Sequence, residues 1–150
     1  MSESTDLVLR ILGTIFLWSI GFVILWRVVV ELLSRLARWP ELKRQYATSP
    51  QSGDSLWRSA SGHLGLVWYA GTLTLGSSAA GLYIAPQFPF HFGSAPIIVP
   101  WSDIKVHRAT RLFQKLTYFE FLRVPGLALR VSGKGAEWLV ASGGPTVEHQ

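Results

Sequence analysis

The side chains able to do acid–base or metal chemistry are few. The histidines are His63, His91, His107 and His149, and past Ser55 the carboxylates are Asp103, Glu120, Glu137 and Glu148. Compact zinc sites need ligands at short local spacing and usually thiolates. These histidines match no such spacing, and the chain has no Cys. Asp103 and His107 would share a face if their segment were helical, but two groups do not close a metal site. "GKG" at Gly133 to Gly135 lacks the G-x-x-x-x-G-K-[ST] frame that cradles phosphates, and no Ser lies in a G-x-S-x-G elbow. No metal, cofactor or catalytic residue is therefore assigned, and the expectation is a protein that is not an enzyme. An anchored hydrolase or transferase with an unrecognised site is kept as an alternative, since triads assemble in space rather than in sequence.

Recognition chemistry is better represented. Lys105, Arg108, Arg111, Lys115, Arg123, Arg130 and Lys134 stand against Asp103, Glu120 and Glu137. If Lys105, Arg108, Arg111 and Lys115 meet on a loop facing a bilayer, they attract anionic headgroups. The plainer alternative is a solvated, mildly basic surface. Nucleic acid is not an expected partner, because the basic residues are sparse and no zinc-finger or RNP-like run is present. Most aromatics, from Trp57 and Trp68 to Trp101 and Trp138, fall inside expected elements and read as core. "FPFHF" differs, because Phe88, Phe90 and Phe92 lie in a Pro- and Gly-flanked connection. It can plug its own domain, touch lipid or dock another protein; Phe88, Phe90 and Phe92 are the candidate protein-interaction residues.

Those groups must be positioned by two kinds of element. "LVLRILGTIFLWSIGFVILWRVVV", Leu7 to Val30, holds sixteen uncharged residues between Arg10 and Arg27. As a helix it would be about 36 Å long, enough to cross a hydrocarbon core of about 30 Å. A signal peptide fits less well: Glu3 and Asp6 occupy its n-region and no A-x-A site follows. The formal charge is +5, and Arg27, Arg35, Arg38, Lys43 and Arg44 follow the span. The positive-inside bias therefore predicts a single-pass protein of the inner membrane, N-terminus outside and C-terminal domain cytoplasmic. "ELLSRLARWP" predicts an extension to the membrane surface, with Leu32, Leu33, Leu36 and Trp39 against lipid. Arg35 and Arg38 then face phosphates, and Pro40 stops the helix near Trp39.

Beyond that helix the pattern turns strand-like. Residues 1–45 read as anchor and juxtamembrane helix, 46–56 as linker, 57–142 as a β domain, and 143–150 as a flexible tail. Strands are expected at Leu64 to Trp68, through Leu73 to Leu75, at Leu82 to Ala85, Ile97 to Val99, Lys115 to Leu122 and Gly126 to Val131. Leu127, Leu129 and Val131 share one face, with Ala128 and Arg130 on the other. Gly65, Gly71, Gly76 and Gly81 predict bends or bulges in a curved sheet. "WSDI" reads as a turn with Asp103 as a cap or turn acceptor. "SGKG" reads as a turn before a short helix around Ala136 to Ala141.

"GLYIAP" at Gly81 to Pro86, the Phe/Pro-rich connection, "PIIVPWSDI" at Pro96 to Ile104, "GLALRV" and the final helix together carry a family likeness. Over about Trp57 to Ser142 the chain resembles bacterial membrane-anchored proteins with a pleckstrin-homology-like or GRAM-like domain. The resemblance implies curved antiparallel sheets with a short C-terminal helix and a non-catalytic scaffold that binds lipid or protein. Phosphoinositide-binding members cluster Lys and Arg in the first hairpin, whereas His63 to Gly81 has neither. The expected function is thus a membrane-anchored scaffold or accessory subunit that binds another membrane or membrane-associated protein. An adaptor for anionic membrane lipids, using Arg35, Arg38, Lys105, Arg108, Arg111 and Lys115, is the alternative; homo-oligomerisation stays open.

Overall fold

A computed structural model describes residues 2–48 and 55–142. Its first element, α1 (Glu3–Leu36), is long and apolar enough to cross a bilayer. From Leu7 to Leu25 the apolar side chains of α1 are exposed on all sides and touch no core. The helix changes character at Val30, which is buried with Ser34 against the domain that follows.

The chain turns at Ala37 and Arg38. Arg38 takes a left-handed conformation (φ 57°), and α2 (Trp39–Gln45) begins directly after it. Pro40 therefore starts a helix rather than stopping one: its fixed φ suits a first turn, where its missing N–H leaves no bond unmade. This overturns the expected lipid exposure of Trp39. The turn aims Trp39 into the domain, fully buried, where its indole N–H donates to the Ala95 carbonyl at 3.0 Å. Leu33 packs on the same core, while Leu32 and Leu36 stay exposed.

Among the described residues, eight strands form one curled, wholly antiparallel sheet. They are β1 (Ala47–Thr48), β2 (Ser55–Leu64), β3 (Val67–Ser78), β4 (Gly81–Pro86), β5 (Ile97–Val99), β6 (Ile104–Arg111), β7 (Gln114–Phe121) and β8 (Ala128–Ser132). Their order is β1-β5-β4-β3-β2-β8-β7-β6. A short helix, α3 (Lys134–Ala141), closes the chain's described part. Alternation sets the inner face: Leu129 and Val131 of β8, Thr117, Phe119 and Phe121 of β7, and Ile104 and Val106 of β6 are buried. With Trp39 and Leu42 from α2 and Leu139 from α3 they make one core. Each large apolar side chain so buried contributes about 2–3 kcal/mol relative to exposure.

The curl has a local cause. The β2–β3 register shifts between Trp57 and Ala60 and again between Ala60 and Gly62. Ser59 (φ 57°) and Gly71 (φ 64°) supply the left-handed backbone there, and Ser61 Oγ accepts from the Gly71 N–H at 2.7 Å. Such bulges increase bend and twist. Gly65 (φ 60°) matters differently: a Cβ there would stand 2.8 Å from the Leu36 carbonyl oxygen, so the tight β2–β3 turn abuts the end of α1.

Several sequence boundaries move. Leu64 to Trp68 is not one strand, because the chain reverses at Gly65 and Leu66 between β2 and β3. Lys134 and Gly135 belong to α3 rather than to a turn. The segment from Lys105 to Arg111 is strand β6, not a loop. Of the expected linker, Tyr46 is buried, Ala47 and Thr48 pair with β5, and Ser55 opens β2. Residues 49–54 and the expected tail, 143–150, lie outside the described residues.

Candidate interaction surfaces

The connection between β4 and β5 clasps α1. Phe90 lies 6.1 Å edge-on from Tyr69 and 6.4 Å from Trp26 of α1, packed against the core. The Arg27 guanidinium sits 5.2 Å from the Phe92 ring centroid, within cation–π range. Ser34 Oγ donates to the Gly93 carbonyl at 3.2 Å. The "FPFHF" residues thus divide: Phe90 is a plug, Phe92 lies under Arg27, and Phe88 stays 74% exposed. A cleft of about 470 Å³ opens beside them, lined by Arg27, Glu31, Arg35, Phe92 and Gly93 among others.

The two juxtamembrane arginines have partners. Arg35 pairs with Glu31 at 3.2 Å on an exposed surface, an arrangement worth less than about 1 kcal/mol. Arg38 bridges to Glu41 and donates to the Pro125 carbonyl at 3.1 Å. The hydrogen bond from Arg38 holds the Glu41 carboxyl below its ordinary range. Arg38 is thereby tied to the β7–β8 turn.

The outer face of the sheet carries a transverse row that sequence reading does not assemble. Trp68 is opposite His63, His63 opposite Arg130, Arg130 opposite Tyr118, and Tyr118 opposite His107. The contacts follow that register. His63 and Trp68 rings are 4.5 Å apart, the Arg130 guanidinium is 5.8 Å from the Tyr118 centroid, and His107 stacks on Tyr118 at 5.3 Å and 10°. Trp68 and His63 are exposed; Arg130, Tyr118 and His107 are half-buried. The stripe crosses β3, β2, β8, β7 and β6. Trp, Tyr and Arg are the side chains over-represented at interface hot spots.

The β6–β7 hairpin is the second feature. β8 accompanies β7 only as far as Leu116, which pairs with Ser132, so Thr110 to Lys115 project past the sheet as a two-stranded arm. Every residue from Arg108 to Lys115 is exposed. Leu112 and Phe113 form its tip with φ 48° and 68°, Leu112 at 86% exposure and Phe113 completely exposed. Arg108 and Lys115 flank the tip on the inner side of the hairpin and Arg111 on the outer side, as the pairings Arg108↔Thr117, Thr110↔Lys115 and Arg111↔Gln114 require. Lys105 is apart from them, three pairs back from Arg108 and opposite Glu120.

The chemical candidates are scattered. His63 and His107 lie in the outer row, His91 lies 4.1 Å from the Phe92 ring at a 32° tilt, and His149 is outside the described residues. Among the described residues no three His, Asp or Glu side chains converge as a metal site would need. Asp103, in the 3-10 turn Trp101–Asp103, pairs with Arg123 Nε at 2.6 Å. Arg123 also donates to the Gln45 carbonyl at 3.3 Å, and Tyr46 Oη accepts from its N–H at 3.3 Å. That network fastens the end of α2 to the sheet, so Asp103 does structural work.

Sequence alone reads Trp68 as core, but it is exposed on the outer face, because the reversal at Gly65 and Leu66 starts β3 in a new phase. The meeting of residues 63, 68, 107, 118 and 130 depends on the register of four strand pairs. "RLFQK" hid its turn because neither Gly nor Asn marks it. Comparison of the chain with protein-family models, curated proteins and solved structures gives no match.

Proposed function

We propose that this protein is a non-catalytic, single-span membrane adaptor or accessory subunit that docks a protein partner on the outer face of its β domain. In this reading α1 crosses the inner membrane of a bacterium with the N-terminus outside, and the domain lies in the cytoplasm. The domain acts as a PH-like or GRAM-like module used for binding rather than bond-making. The excess of Arg and Lys after the span supports the orientation. The clasp of Trp26, Arg27 and Ser34 by Phe90, Phe92 and Gly93 supports a domain held close beneath the bilayer.

The observation that carries the proposal is the row Trp68–His63–Arg130–Tyr118–His107. Its two parts, Trp68–His63 and Arg130–Tyr118–His107, are each pre-ordered by ring contacts, so little side-chain freedom is lost when a partner covers them. Truncating a hot-spot residue weakens a complex by about 2 kcal/mol or more, roughly thirtyfold. Extraction of the full chain in mild detergent should recover a stoichiometric protein partner, and Trp68→Ala with Arg130→Ala should lose it while the chain stays folded. Repeated recovery of the chain alone, or a partner retained undiminished by the double variant, would defeat the reading.

A further inference from the structure

We propose that the β6–β7 arm is a second membrane contact, distinct from α1, in which Leu112 and Phe113 enter the anionic leaflet and Arg108, Arg111 and Lys115 bind its phosphates. The proposal stands on the arm's geometry and charge and does not require the protein partner.

The tip is unusual on two counts. Its two central residues occupy the left-handed region, where Gly, Asn and Asp are at ease and a branched or aromatic side chain is strained. The same two residues are large, apolar and in water. A turn that only joined two strands would be better made with small polar residues, so Leu and Phe here point to an apolar destination.

Charge identifies that destination. From Lys105 to Lys115 the sequence "KVHRATRLFQK" has no acidic residue. Three cations stand on both faces of the hairpin immediately behind the tip. An apolar point with a cationic collar matches a bilayer with anionic headgroups, layer for layer: apolar atoms reach the acyl boundary while guanidinium and ammonium groups stay at phosphate depth.

Register supplies the direction. The β2–β3 turn lies at the end of α1, with Gly65 against Leu36, whereas Tyr69 touches Phe90 and through it Trp26, ten residues up the helix. Moving along β3 from Val67 to Tyr69 thus moves from the domain's lower end toward the span. Tyr69 is opposite Gly62, Gly62 opposite Val131, Val131 opposite Thr117, and Thr117 opposite Arg108. The same sense of travel along β7 leads out to the arm.

Because the chain has no native cysteine, a spin label at Phe113→Cys reports on the tip alone. The full-length protein is reconstituted in phosphatidylcholine and in phosphatidylcholine mixed with phosphatidylglycerol, with Leu66→Cys, on the exposed β2–β3 turn at the end of α1, as reference. In the anionic bilayer the label at 113 should be reached by oxygen and shielded from a polar nickel chelate, and the label at 66 should show the reverse. Arg108→Gln, Arg111→Gln and Lys115→Gln together should return the label at 113 to water. A label at 113 that stays aqueous in both bilayers overturns the proposal, including the case in which only an added acidic protein immobilises it. Insertion that is indifferent to the triple change overturns the role given to the cations.

Discussion

Tyr69 joins the core to the clasp, and its titration is a sensitive report on both. It is 3% exposed and touches Phe90. Burial pushes its phenol up to about 12, because an ionised oxygen there would be poorly solvated. An acid whose folded value is raised stabilises the fold fully below the unfolded value, about 10. That contribution is lost as pH rises toward 12, where the folded state still binds the proton and the unfolded chain does not. Stability should fall by about 1.4 kcal/mol per pH unit across that window from this group. Burial also raises Tyr46 and Tyr83, so Tyr69→Phe should shallow the slope between about pH 10 and 12 without flattening it. Denaturant unfolding at a series of alkaline pH values, with phenolate absorbance followed in parallel, checks this; an unchanged slope would show that Tyr69 is not shielded. Residue chemistry was partly legible beforehand: Asp103 reads as a turn residue from "WSDI", but its pairing with Arg123, and the bond from Arg123 to Tyr46, need the fold.

Among elements, the β6–β7 arm departs furthest from what a stable fold requires. Two consecutive left-handed residues with large side chains cost about 1–2 kcal/mol each relative to residues that accept that conformation. Leu112→Asn with Phe113→Gly should therefore stabilise the domain by about 1 kcal/mol or more. The thermal midpoint in detergent should rise by about 5 °C. A lower midpoint would mean that the two side chains support the fold, contrary to their exposure. The cations of β6 have a further physical consequence: this strand ends the sheet order, and Lys105, Arg108 and Arg111 discourage another strand from pairing with it. The strands that were readable, β4, β5, β7 and β8, have β-branched or alternating apolar residues bounded by Gly or Pro. β6 was not readable, because "IKVHRATR" alternates only in its first half and then leaves the core.

At the scale of the molecule, α1 serves two environments. Its first part touches nothing in the domain, while from Trp26 onward it is built into the domain by Phe90, Phe92, Gly93 and the burial of Val30 and Ser34. Anchor and fold should therefore be separable by mutation. Leu17→Arg with Ile20→Arg places two charges at mid-span, at about 3 kcal/mol each against insertion. Both positions are exposed in the structure. The variant should be released from membranes by alkaline carbonate while its domain keeps the parent's near-ultraviolet circular dichroism. Retention in the membrane would contradict the span, and loss of the tertiary signal would contradict the separation.

Composition along the chain was sufficient for some conclusions, because they depend only on neighbours in sequence. A run of sixteen uncharged residues makes a helix suited to a bilayer, and alternation at Leu127, Leu129 and Val131 assigns a buried face. Tertiary structure alone turned Trp39 from lipid into the core, since one left-handed residue, Arg38, redirects the helix. It also brought together Trp68, His63, Arg130, Tyr118 and His107, and left Leu112 and Phe113 without cover. Those outcomes rest on which strands pair and in what register, a choice set by burial across the whole sheet rather than by any local stretch.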